Sequence, residues 1–150
     1  MPDSTVAALK AKIPASVAQS KLRICLLDGF LLFSESMAAL QPSLDLKIFL
    51  RVSYAKAKAR REARDGYVTL EGFWKDPPGY VDDIVWPNYV EEHAFLFENG
   101  DVEGTFKNDV LEREKIHVPN DGALDGDLSK TLEWMVDLIW AELQKHEPAK

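Results

Sequence analysis

The sequence predicts an α/β fold built on a parallel sheet, and three observations carry that prediction. Leu22 to Leu27 holds five apolar residues in six with no alternation, the pattern of a strand buried on both faces as parallel sheets require. Leu44 to Val52 (LDLKIFLRV) is a second such stretch. The fifteen residues between Asp28 and Leu44 are enough for the crossover that joins parallel neighbours. Strand and helix signals then alternate to the end of the chain, which favours right-handed crossovers and a ligand site beyond the carboxyl ends of the strands.

Residues 1–20 form an N-terminal helical segment, with a short helix over 4–12 that Pro14 ends or kinks. Residues 22–64 hold the two strands and an Ala/Lys/Arg-rich helix, Tyr54 to Arg64, with Ser53 as its N-cap. Asp65 and Gly66 close that helix. Residues 66–80 (GYVTLEGFWKDPPGY) carry three glycines, two prolines and four aromatics, and read as a long ordered loop, a lid. Residues 81–146 bring helical character from Val81 to Phe97 with Pro87 near its start or at a kink, then a polar surface excursion over 98–112. A third strand, Lys115 to Val118, leads into the turn Pro119-Asn120-Asp121-Gly122. The last helix runs from Leu128 to Lys145, with Leu132, Met135, Val136, Ile139 and Trp140 on one apolar face.

At 150 residues a single domain is the expectation. Eighteen basic and 25 acidic residues give a net charge of −7, which argues against the whole chain binding nucleic acid by phosphate neutralisation. Lys56, Lys58, Arg60, Arg61 and Arg64 crowd into nine residues, a local cationic patch suited to a small anion or to a solvated helix face. The only cysteine, Cys25, lies in an apolar run and reads as a buried small hydrophobe. No apolar stretch approaches the ~20 residues of a membrane helix, so no membrane association is expected and the cytoplasm is the default location.

Two of three parts of a phosphoryl-transfer site are present. Asp28 follows the first strand, where an acid can ligate Mg²⁺ or hold its water. Arg60, Arg61 and Arg64 share a helix end at i, i+3 and i+4 spacing, where they can converge, and guanidinium forks match phosphate oxygens. The third part, a glycine-rich cradle G-x-x-x-x-G-K-[ST], occurs nowhere in the sequence. The chain therefore reads as the later portion of a kinase. Each of these features also has a structural reading: Asp28 as a strand-end turn, the arginines as partners of the helix dipole. Tyr67, Phe73, Trp74, Tyr80 and Trp86 read mainly as packing anchors. His93, His117 and His146 show no ligand spacing, and no nucleophile–base pair stands out.

DGFLLF at 28–33, SY-x5-RR-x2-R at 53–64 and PPGY-x5-WPNY at 77–89 together resemble the nicotinamide riboside kinases, a family of uridine-kinase-like P-loop kinases. The resemblance covers residues 20–145, and its lid insertion suggests a fungal-type member. It implies a partial, three-layer P-loop kinase fold with a parallel sheet, and transfer of the ATP γ-phosphate to the 5′-hydroxyl of nicotinamide riboside with Mg²⁺. It also implies ATP contacts at Arg60, Arg64 and the turn Asp121-Gly122-Ala123, substrate contacts at Arg61 and Tyr67, and Asp28 on the metal side. The family's lid tyrosine corresponds to Tyr67 if the insertion follows it, whereas Gly66 is the ungapped match. The family's P-loop, P-loop strand and general-base aspartate have no counterpart in residues 1–27, so the expectation is a chain inactive by itself. A non-catalytic interaction module and a fragment of a uridine or other nucleoside kinase are the competing readings.

Overall fold

The computed structural model describes residues 2–19, 21–64, 66–70, 72–119 and 124–146. The chain opens with two short helices, α1 (Asp3–Ala11) and α2 (Ala15–Gln19). Pro14 separates them as expected: it cannot continue α1, but its carbonyl accepts the Ala18 N–H at 2.9 Å and so starts α2. Both lie against the last helix, α6 (Leu128–Lys145), which occupies the predicted span. Asp127 caps α6 by accepting the Lys130 N–H at 3.0 Å. Lys12 meets Asp137 at 2.9 Å across the helices.

The first predicted strand does not form. Residues 21–29 are without regular structure, and Ile24, Leu26 and Leu27 are exposed, Leu26 to 83%. Cys25, expected to be buried, is exposed as well. A run apolar on both faces becomes a strand only when neighbours accept its backbone hydrogen bonds, and among the described residues no strand lies beside it. Asp28 is accordingly not at a strand tip. The chain turns at 30–33 and enters a 3₁₀ stretch, Glu35–Ser43.

The other two predicted strands do pair, in parallel: β1 (Lys47–Ile48) with β4 (Ile116–His117), Lys47 opposite Ile116 and Ile48 opposite His117. The pairing extends by one bond, from the Phe49 N–H to the His117 carbonyl at 2.9 Å. The fold is thus α/β but largely helical. The three-layer sheet expected from the family reduces, among the described residues, to this pair and a separate hairpin.

Between them, α3 (Tyr54–Glu62) starts at the predicted cap: Ser53 Oγ accepts the Lys56 N–H at 3.2 Å. The predicted lid loop contains a missed antiparallel hairpin, β2 (Tyr67–Thr69) with β3 (Gly72–Trp74). At Gly66, φ is +104°, and a Cβ there would collide with the Phe73 ring and the Trp74 carbonyl, so only glycine fits. The helix after the lid begins as a wide π-turn, Val81–Val85, and continues as α4 (Trp86–His93). Pro87 explains the change of pitch: it has no N–H to give and its ring crowds the carbonyl four residues back. The Trp86 N–H reaches Val81 O instead, one residue farther.

The stretch read as a surface excursion, 98–112, supplies much of the core. Val102, Phe106, Val110 and Leu111 are buried with Phe49, Tyr89, Leu96, Phe97 and Ile116, and α5 (Asn108–Glu114) forms within it. Phe49 is the hub, with ring centroids 5.9 Å from Phe33, 5.2 Å from His93, 6.2 Å from Phe97 and 6.1 Å from Phe106. No helix among the described residues is long and apolar enough to cross a membrane.

Candidate functional site

A cavity of about 280 Å³ opens where both parallel strands end, the place where α/β sheets bind ligands. Phe49, Leu50, Arg51 and Val52, following β1, form one wall. Pro119, Asp125, Gly126, Leu128 and Thr131, following β4, form the opposite wall, and α3 sends in Lys56 and Arg60. Two of these side chains share a face because they are four apart on a helix. The size is close to the smallest of the common small-ligand pockets.

Arg51 is braced on the core side of this cavity. Its guanidinium lies 4.5 Å from the Phe106 ring centroid and 5.5 Å from that of Phe97. It donates to the Gly104 carbonyl at 2.5 Å, and burial lowers its pKa. Asp125 closes the other side. Its carboxylate accepts the Ser53 backbone N–H at 2.9 Å and the Ser53 hydroxyl at 2.7 Å. Those bonds hold its carboxyl below the ordinary carboxylate range, with Lys56 and Arg60 adding to the effect.

The arginines of α3 do not converge as expected. Adjacent helical residues point about 100° apart, so Arg60 enters the cavity while Arg61 turns to the lid. Arg61 makes a two-pronged pair with Asp76, Nε to Oδ2 at 2.5 Å and Nη2 to Oδ1 at 3.2 Å, and lies 5.2 Å from the Tyr80 ring centroid. Trp74 Nε1 donates to the same carboxylate at 3.2 Å. The Arg61 hydrogen bonds, foremost, hold the Asp76 carboxyl below its ordinary range. Arg64 is exposed beyond the end of α3. One turn before Arg61, Lys58 pairs with Asp82 at 2.5 Å, and the Tyr54 hydroxyl donates to the same acid. The cations of α3 are thus divided: Lys56 and Arg60 face the cavity, Arg61 holds the lid, and Lys58 holds the π-turn that follows it.

Asp28 is exposed and makes no hydrogen bond or ion pair among the described residues. Asp121, Gly122 and Ala123 lie outside the described residues, although both flanks of their segment, Pro119 and Asp125, line the cavity. Tyr67 lies on β2, and its side chain is outside the described residues. His93, buried with its ring tilted against those of Phe49 and Tyr89, bonds the Tyr89 carbonyl through Nδ1 at 2.8 Å. The Tyr89 hydroxyl, its pKa pushed up to about 12 by burial, has no hydrogen-bond partner among the described residues.

Sequence reasoning missed Arg51, Asp76, Asp82 and Asp125, and it reached Lys56 only as part of the cationic patch, one turn before Arg60. The three acids carry no local signal, because each earns its place by meeting α3 from a distant segment. A larger, more open hollow of about 650 Å³ lies at the opposite strand ends, lined by Asp45, Glu112, Lys115 and Glu142 among others. It contains none of the residues singled out by motif, and its Lys145 and Glu142 pair with each other at 2.6 Å.

The chain is 39% identical over 131 residues to the nicotinamide riboside kinase of Saccharomyces cerevisiae, covering 87% of this chain and 52% of that protein. To the nicotinamide riboside kinase of Schizosaccharomyces pombe it is 43% identical over 93 residues, covering 62% of this chain and 39% of that protein. To human nicotinamide riboside kinase 2 it is 36% identical over 100 residues, covering 65% and 38%. The chain therefore spans about half the length of the budding-yeast relative and less of the others. No protein-family model matches it, and no solved structure does.

Proposed function

Along the segment it shares with them, the chain belongs to the nicotinamide riboside kinase family, and from that premise we propose that it supplies the lid and the nucleotide-side wall of an ATP-dependent kinase acting on nicotinamide riboside. The observation that carries the reading is the cavity at the strand ends, with Lys56 and Arg60 on its rim. Its apolar walls, Phe49, Val52, Pro119 and Leu128, suit a planar base, and the two cations suit the anionic tail of a nucleotide. In this reading Arg60 and the segment 121–123 contact ATP, and Arg64 approaches its phosphates when the lid is loaded. Arg61 and Tyr67 lie on the nucleoside side. Arg61 would act there from the geometry that Asp76 imposes on it.

ATP, when bound, supplies the phosphoryl group, and the cations would offset charge on it as it moves. For Mg²⁺, the family's ion, the residue that the resemblance points to is Asp28, a single exposed carboxylate on a stretch without regular structure. That is not a magnesium site as it stands, and no step is drawn through the ion. The acid that lines the cavity, Asp125, has both carboxylate oxygens engaged by Ser53, and the sequence has no G-x-x-x-x-G-K-[ST] cradle. In this reading the chain by itself does not turn over.

Two measurements test this. In an NMR titration with millimolar ATP, signals of Arg60, Val52 and Thr131 should move and those of the hairpin tip should not. Absence of any shift at the cavity would refute the nucleotide reading. ATP-dependent formation of nicotinamide mononucleotide by the pure 150-residue chain would refute the inactivity.

A further inference from the structure

We infer that Asp125 is a positioning residue that fixes the spacing between the two walls of the cavity, so that Lys56 and Arg60 meet a nucleotide held against the opposite wall of Pro119, Gly126 and Leu128; this rests on the nucleotide reading above. Asp125 stands at φ +65°, a left-handed conformation that L-residues other than glycine, asparagine and aspartate rarely adopt. Its carboxylate is held there by two bonds from one residue, the Ser53 N–H at 2.9 Å and the Ser53 hydroxyl at 2.7 Å. The Ser53 oxygen in turn accepts the Lys56 N–H at 3.2 Å. A continuous chain of hydrogen bonds therefore runs from the first turn of α3, through its cap, into the opposite wall.

Lys56 and Arg60, one turn apart, ride on the helix end that this chain anchors. Charge alone would make Asp125 unwelcome. An acid in the wall of an anion pocket repels the ligand, so its removal by itself should tighten binding. Coupling of the walls predicts the reverse, and the sign of the change separates the two.

The test uses Asp125→Gly and Asp125→Asn, both of which tolerate the left-handed backbone, so neither strains the fold. Glycine removes both acceptors, and asparagine keeps one. Hydrogen exchange at the Ser53 amide should quicken about tenfold or more in Asp125→Gly and less in Asp125→Asn. Exchange at Phe49, bonded to His117 across the strands, should not change. ATP affinity should weaken about tenfold in Asp125→Gly and less in Asp125→Asn. Unchanged Ser53 exchange, or ATP binding that is unchanged or tighter in Asp125→Gly, would overturn the coupling. A wild-type chain showing no ATP-dependent shift would overturn the nucleotide reading and this proposal with it. The Ser53 measurement, which needs no nucleotide, tells that failure from failure of the coupling alone.

Discussion

Replacing Phe97 by alanine is expected to bring the domain close to unfolding. Phe97 has no exposed surface. Its ring stacks on Phe106 at 4.6 Å between centroids, meets Phe49 edge-on at 6.2 Å, and lies 5.5 Å from the Arg51 guanidinium. Losing the transfer energy of a buried phenyl ring and leaving a cavity costs about 3–5 kcal/mol, against a total domain stability of about 5–15 kcal/mol. With a urea dependence near 2 kcal/mol per molar, the midpoint should fall by about 1.5–2.5 M. Phe97→Leu, which keeps most of the volume, should cost only about 1–1.5 kcal/mol. The control is Val68→Ser in the hairpin. Val68 is 83% exposed, and its replacement should move the midpoint little, within about 0.5 kcal/mol. The measurement is urea unfolding followed by far-ultraviolet circular dichroism. A loss below about 1 kcal/mol for Phe97→Ala, or an equal loss for Val68→Ser, would refute the core described here. The cavity is implicated too, since Phe49, Arg51 and Phe106 line it.

Two further predictions concern pH. Asp76 is held below its ordinary value of 3.8, chiefly by the Arg61 hydrogen bonds. Its contribution is therefore present above about pH 3.8 and lost as pH falls through the lower folded value. Trp74 fluorescence should report that loss in acid, and Asp76→Asn should remove this component of the titration; an identical acid curve in the variant would count against the latch. Burial lowers the His93 pKa from 6.5, so the unfolded chain takes up the proton first as pH falls. Stability should then decline from about pH 6.5 down to the folded value, and His93→Phe should flatten that slope in unfolding curves taken between about pH 5 and 7; an unchanged slope would show that His93 is not its source.

Some elements were legible because their cause is local. Ser53 beside an Ala/Lys/Arg-rich stretch is a cap and a helix wherever it sits, and α6 occupies the span its apolar spacing gave. Pro14 and Pro87 change the backbone for reasons contained in a single ring. The hairpin at 67–74 was missed because glycine and aromatic content was read as loop character, although Val68, Thr69, Phe73 and Trp74 favour strands. The core around Val102 and Phe106 was missed for a different reason. Its apolar residues are sparse among acids and glycines, and only tertiary contact with Phe49 and Phe97 buries them.

The sequence alone determined that residues around 47–48 and 116–117 are strands of a parallel sheet, the helix that carries the arginines, and the family motifs along it; the fold paired the two strands. Tertiary structure decided which way each cation of that helix faces and which acid it meets. It also decided the fate of Leu22 to Leu27, whose composition specifies a strand but which has no strand beside it among the described residues. The reason is common to both. Propensity and spacing act within a few residues, whereas a strand needs a partner and a charge needs a counter-charge, and the fold brings those in from segments far away in sequence.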